Sequence, residues 1–161
     1  MPARLVVRRV APYSLAGMLT YREAVLADIP RLQVIRAAVR ENILSNPGLV
    51  TVPDYEEHIR GPGKSWVGEE DGRVLGFSSA HPQPGSIWAL FVDPAHDRRG
   101  LGRALLDRAV AWLWSHPELD AIQLTTAVGT RADHVYRAAG WADVGRSRSG
   151  EMIFRLTRPP A

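Results

Sequence analysis

The residues best suited to chemistry lie in one short run, Asp97-Arg98-Arg99-Gly100-Leu101-Gly102-Arg103. Glycine carries no side chain, so an anion can approach the backbone closely there. A helix that starts at such a loop leaves its first amide N–H groups unpaired, and its dipole adds positive potential. Arg98, Arg99 and Arg103 bracket the glycines and can donate charge-assisted hydrogen bonds. A pyrophosphate suits this arrangement. Two other phosphate loops fit worse. A Walker loop needs Gly-Lys-Ser/Thr, which is missing. A dinucleotide fingerprint needs a third glycine, and Leu105 stands in its place.

Other chemistries are narrowed by what the chain lacks. It contains no cysteine, which excludes disulfides, thiolate metal sites and a cysteine nucleophile, and fits a reducing cytoplasm. His58, His81, His96, His116 and His134 show no HExxH-type spacing, so no metal is expected. No apolar run reaches the roughly 18 residues of a membrane span, so no membrane partner is expected. The net charge is +3 and the basic residues are dispersed, with Lys64 the only lysine. That is no nucleic-acid signature.

The elements that must position the loop follow from patterning. With 161 residues and 45% hydrophobic content, the chain suits one domain with a core. Residues 1–17 read as an N-terminal extension, and residues 18–161 as the domain. A strand over Leu19–Val25 precedes a helix with Asp28 as cap and Pro30 in its first turn. Leu32, Ile35, Val39 and Ile43 give that helix an apolar stripe, and Asn46-Pro47-Gly48 ends it. Thr51 caps a second short helix that Gly61-Pro62-Gly63 ends. Lys64–Glu70 and Arg73–His81 form a hairpin on the Asp71-Gly72 turn. Ser86–Asp93 is apolar on alternate and intervening residues alike, which predicts a central strand buried on both faces. The glycine loop then opens a helix to about His116, with Leu101, Leu105, Ala109, Val110 and Leu113 inward. A strand over Ala121–Ala127 should run parallel to Ser86–Asp93. A helix from about Arg131 to Ala139 ends at Gly140. Strands near Trp141–Arg148 and Glu151–Thr157 close the order β-α-α-β-β-β-α-β-α-β-β, an α/β fold with a mixed sheet and helices on both faces.

In this setting the chain resembles the GCN5-related N-acetyltransferase superfamily, over about Met18–Thr157. That superfamily carries Q/R-x-x-G-x-G/A between a buried strand and a helix. Here the block reads Asp97-Arg98-Arg99-Gly100-Leu101-Gly102, with Asp97 where Gln or Arg is usual. A second block, Ala132-x-x-Val135-Tyr136-x-x-x-Gly140-Trp141, is similar to the superfamily's A-x-x-F-Y-x-x-x-G-F.

The resemblance implies a mixed, mostly antiparallel sheet whose two parallel strands splay apart. It implies acetyl-CoA as cosubstrate, held by Arg98, Arg99, Gly100, Leu101, Gly102 and Arg103. The pantetheine arm would lie along Leu90, Phe91 and Val92 as an added strand does. Tyr136 would be the general acid that protonates the departing thiolate. The acceptor would be a primary amine of a small molecule or peptide, and the assembly a homodimer. Relatives often carry an acid early in the central strand, where this chain has Trp88 and Ala89. The base is therefore open among Glu41, Glu57, His58, Glu69 and His81. Acceptor selection falls to Arg40–Tyr55, with Arg40–Ser45 as a pocket wall and Trp66 and Trp88 as lining or core. The missing acid also leaves a competing reading, a non-catalytic acyl-CoA-binding regulatory module.

Overall fold

A computed structural model describes residues 17–39 and 50–161. The expected extension up to residue 16, and the Arg40–Ser45 segment with Glu41, lie outside the described residues.

Asp71 and Gly72 both take positive φ, 52° and 75°, which matches the twist of the strands they join. They connect β2 (Lys64–Glu70) to β3 (Arg73–His81). β1 (Thr20–Glu23) pairs antiparallel with β2, and β4 (Ser86–Val92) with β3. Further along come β5 (Ala121–Thr126), β6 (Ala142–Arg146) and β7 (Met152–Thr157). The seven strands lie in the order β1-β2-β3-β4-β5-β7-β6. Among the described residues only β4 and β5 are parallel, and they pair at the single position Ser86↔Gln123. Beyond it the two strands part.

Helices cover both faces. On one side lie α1 (Ile29–Ala38) and α2 (Val52–Glu57). Leu32, Ile35 and Tyr55 pack there with Val67, Phe77 and Ala89. On the other lie α3 (Leu101–Trp114) and α4 (Arg131–Ala138). Leu105, Leu106, Ala109 and Leu113 of α3 meet Ile122, Leu124, Tyr136 and Phe154. Each fully buried leucine or isoleucine contributes roughly 1.5–3 kcal/mol.

Two expectations need correction. The first helix stops at Ala38, and Val39 is extended (φ −80°, ψ 104°). Val39 leaves the stripe to line a cavity. β4 is central but not buried on both faces. Ile87 and Ala89 are buried, whereas Trp88, Leu90, Phe91 and Val92 are only partly so, because β5 has turned away from them.

β4 also contains an irregularity. Ser79 pairs with Ala89 and Ala80 with Ile87, which leaves Trp88 as the extra residue. Such a bulge breaks the alternation of side chains. Ile87 therefore joins the α3 side, while Trp88 and Ala89 both serve the α1 side.

The entry to α1 is pinned electrostatically. Arg22 Nη1 and Nη2 each donate to the buried Asp28 carboxylate at 2.9 Å, and the Val25 N–H donates at 2.8 Å. Burial pulls the Asp28 carboxyl upward, but these bonds outweigh it and hold it below its ordinary range. Asp28→Ala should cost about 2 kcal/mol at neutral pH. A lowered carboxyl stabilises above its unfolded pKa, about 3.9, and loses that contribution as pH falls. The gap in denaturant midpoint between wild type and variant should therefore narrow from pH 7 to pH 3.

Candidate active site

The parting of β4 and β5 opens a cavity of about 490 Å³. Its lining comes from both sides of the sheet. Ala38 and Val39 contribute from the α1 side, and Ala132, Val135 and Tyr136 from α4. Leu90, Phe91 and Val92 of β4 form one wall, and Asp97, Arg98, Gly100, Leu101, Gly102 and Arg103 form the mouth. The cavity thus runs from the glycine loop through the sheet toward the end of α1.

The loop is set in place by named contacts. Asp93 follows β4, and its Oδ1 accepts from the Ala95 N–H at 3.0 Å. Arg31 of α1 donates to Asp93 Oδ2 and to the Val74 carbonyl, both at 2.8 Å. A 3-10 turn, Pro94–His96, leads to Arg98, whose φ is +62°. Gly100 is the N-cap of α3 with φ +82° and no side-chain capping bond. The first backbone bond into the helix runs from the Ala104 N–H to the Gly100 carbonyl at 3.1 Å. The amides ahead of Ala104 thus belong to the helix's unpaired first turn.

The two glycines serve different ends. Gly100 is required by its left-handed backbone. Gly102 is not required by its protein neighbours: a Cβ there would meet only Val92 Cγ2, at an ordinary 3.7 Å. The space above Gly102 is open cavity, which fits a ligand pressed against the helix.

Eight of the nine expected cofactor residues line this cavity, together with Tyr136. Arg99 does not. Its guanidinium pairs with Glu70 and lies 3.3 Å from His96 Nδ1. That pair raises the arginine and lowers the acid from their ordinary values. Arg103 is 2.9 Å from Asp107, one helical turn on.

Asp97, the departure from the usual motif, lines the mouth and pairs with Arg131. Arg131, at the start of α4, also lines the cavity. The ion pair ties the loop to the start of α4. Sequence reasoning missed Arg131. Its available signal was a basic residue beside the Ala132–Tyr136 block, but the 34-residue separation hides the pairing.

Tyr136 is buried among Trp141 and Phe154, with ring centroids 5.9 and 5.7 Å away. Burial pushes its phenol well above the ordinary tyrosine value. No hydrogen bond engages its hydroxyl among the described residues. A proton is thus retained on a group that borders the cavity.

The described base candidates stand apart from the cavity. Glu57 is 3.2 Å from His81, and Glu69 is 3.2 Å from Arg22. His58 is buried, with Nδ1 2.7 Å from the Asp54 carbonyl, so Nδ1 carries the proton. Burial lowers its pKa and keeps the ring neutral. Trp66 is core, packed edge-on against Trp112 at 5.8 Å. Trp88 is partly buried, packed against the α1-side core and stacked with His58 at 4.3 Å.

Comparison with known proteins bears on this geometry. A family model described as Acetyltransferase (GNAT) family matches residues 33–141. A protein of Mycobacterium tuberculosis named as a probable N-acetyltransferase is 30% identical over 124 residues, covering 73% of this chain and 70% of that one. A mycothiol acetyltransferase of Clavibacter michiganensis is 36% identical over 94 residues, covering 58% of this chain. This chain spans only 28% of that longer relative. The yncA protein of Salmonella typhimurium, solved with its cofactor acetyl-CoA, shares the fold: TM-score 0.73, 20% identity, 89% of this chain and 95% of that one.

Proposed function

Since the chain belongs to the acetyltransferase (GNAT) family, we propose that its cavity binds acetyl-CoA and that the acetyl group passes directly to a primary amine of a small molecule or peptide. The single observation that carries this reading is the continuous cavity from the glycine loop, past Tyr136, to the opposite face of the sheet. A donor and an acceptor can meet in it from two sides.

The residues divide the work. The unpaired amides of the first turn of α3, with Arg98 and Arg103, hold the pyrophosphate. Gly102 lets it seat against the backbone. The exposed edge of β4 at Leu90–Val92 pairs with the pantetheine amides and can offer an N–H to the thioester oxygen. The thioester supplies an activated acetyl carbonyl with a good leaving group. As the amine nitrogen bonds to the carbonyl carbon, the carbon–sulfur bond breaks and Tyr136 gives its proton to the thiolate sulfur. The proton lost by the amine leaves to water, and Tyr136 regains its own from solvent. No cysteine is available to carry the acetyl group between the two.

The reading also includes a cytoplasmic location, fitted by the absence of cysteine, and a homodimer. β6 is an edge strand with Val144 exposed, a surface suited to pairing between copies.

Calorimetric titration with acetyl-CoA, followed by thiol release on a panel of amines and peptides, tests the proposal. Binding and turnover are expected. Binding without turnover on any acceptor would favour a non-catalytic acyl-CoA-binding module. No binding would remove the cavity from acyl-CoA chemistry.

A further inference from the structure

Arg36 lies in the last turn of α1, on the sheet face opposite α3 and α4. Its guanidinium carbon sits 4.7 Å from the Trp88 ring centroid and 4.9 Å from that of Phe91. Nε and Nη1 are both buried, and no oxygen accepts from either among the described residues. Buried N–H groups of a charged side chain are seldom left without an acceptor.

The Asp54 carboxylate feels the Arg36 charge, yet its hydrogen bonds go elsewhere. Asp54 Oδ2 accepts from the Thr51 N–H at 2.7 Å and from Thr51 Oγ1 at 2.9 Å. Arg36 therefore presents two buried donors without an acceptor among the described residues. It does so beside Phe91, which lines the cavity, and two residues before Ala38, which also lines it. Ala38 and Val39 carry the cavity lining to this face of the sheet, where the acceptor must enter if the donor lies as proposed above.

We propose that Arg36 is the acceptor's anchor: it binds a carboxylate on the substrate, so the acceptor is a free amino acid or similar small amino-carboxylate rather than a peptide N-terminus. This rests on the acetyl-transfer reading. A carboxylate on the substrate would supply a charged acceptor of the kind these donors lack. The aromatic faces of Trp88 and Phe91 hold the guanidinium plane and shield it from water. A peptide N-terminus carries an amide where a free amino acid carries its carboxylate, and an amide cannot neutralise the charge.

The test compares common amino acids, β-alanine and 4-aminobutyrate with their own amides, at saturating acetyl-CoA, following release of the CoA thiol. The best acid should exceed its amide by about ten-fold to a hundred-fold in kcat/KM, the range expected for charged hydrogen bonds. Arg36→Met should bring that ratio to about one, with acetyl-CoA affinity at the wild-type level. Arg36→Lys should restore part of it. Equal use of acid and amide by the wild type, or a ratio that survives Arg36→Met, overturns the proposal while leaving acetyl transfer intact. A second arm separates the two readings. CoA-loaded protein is titrated with N-acetyl amino acids and with their amides. A preference for acids that Arg36→Met removes supports the anion site even where nothing is turned over, and acetyl transfer alone then fails. Binding of neither class, or of both equally, overturns the anion site.

Discussion

Gly102→Glu is expected to abolish measurable acetyl-CoA binding while leaving the protein at least as stable as wild type. The two halves of this result have separate causes. Gly102 lies in the first turn of α3, and a Cβ there meets only Val92 Cγ2 at 3.7 Å. Replacing glycine within a helix gains up to about 1 kcal/mol. A carboxylate in the first turn adds roughly 0.3–1 kcal/mol through the helix dipole. The melting temperature should therefore hold or rise. Binding meets the opposite sign. The new side chain fills the space where a pyrophosphate would seat and sets like charges face to face. At about 4 Å and an effective dielectric of 20, that repulsion is about 4 kcal/mol, or roughly a thousand-fold in Kd. Gly102→Ala should separate bulk from conformation. It adds one methyl in open space, and the motif accepts alanine there, so it should stabilise the fold and keep binding. If Gly102→Glu bound acetyl-CoA as well as wild type does, the glycine loop would be a structural turn and nothing more.

Tyr136→Phe should lower kcat by about 10²–10⁴, the range for loss of a positioned acid, with acetyl-CoA affinity unchanged. The ring packs against Trp141 and Phe154, and phenylalanine keeps both contacts. Its hydroxyl has no hydrogen-bond partner among the described residues, so its removal should not destabilise the fold. The pH profile supplies a further readout. Burial raises the phenol above its ordinary value of about 10. A raised pKa keeps the acid form present as pH rises. The wild-type rate should therefore show no alkaline fall from this group below pH 10. An unchanged turnover number in Tyr136→Phe would remove the residue from the mechanism.

Much of the scaffold was legible because local chemistry and global fold agree. Asp71-Gly72 demands a hairpin wherever it stands between strands, and Gly140, with φ +90°, follows the end of α4 as a C-terminal glycine should. The glycine loop was legible because Gly100 must take a left-handed φ, and because Gly102 leaves open space where a ligand can meet the backbone. What stayed hidden depends on partners distant in sequence. An apolar run such as Ile87–Val92 is written alike for a buried strand and for the wall of a cleft. Only the departure of β5 separates the two. Trp88 faces α1 through a register slip against Ser79 and Ala80, and no pattern within β4 announces it. Asp97 looked like a defect in the motif because its counter-charge, Arg131, comes from another helix. Arg36 read as one arginine among many, and only packing against Trp88 and Phe91 sets it apart.

The single register pair between β4 and β5 has a consequence for association between molecules. Unsatisfied backbone groups along a strand invite a strand from another chain, which is why outer edges are a route to aggregation. Here the sheet carries an additional edge in its interior, along Leu90–Val92. α1 and α4 flank it, so a second polypeptide with its side chains cannot reach it. A slender chain bearing amides but no side chains can. The fold thus keeps an adhesive backbone surface permanently available, while its geometry screens that surface from other copies of the protein.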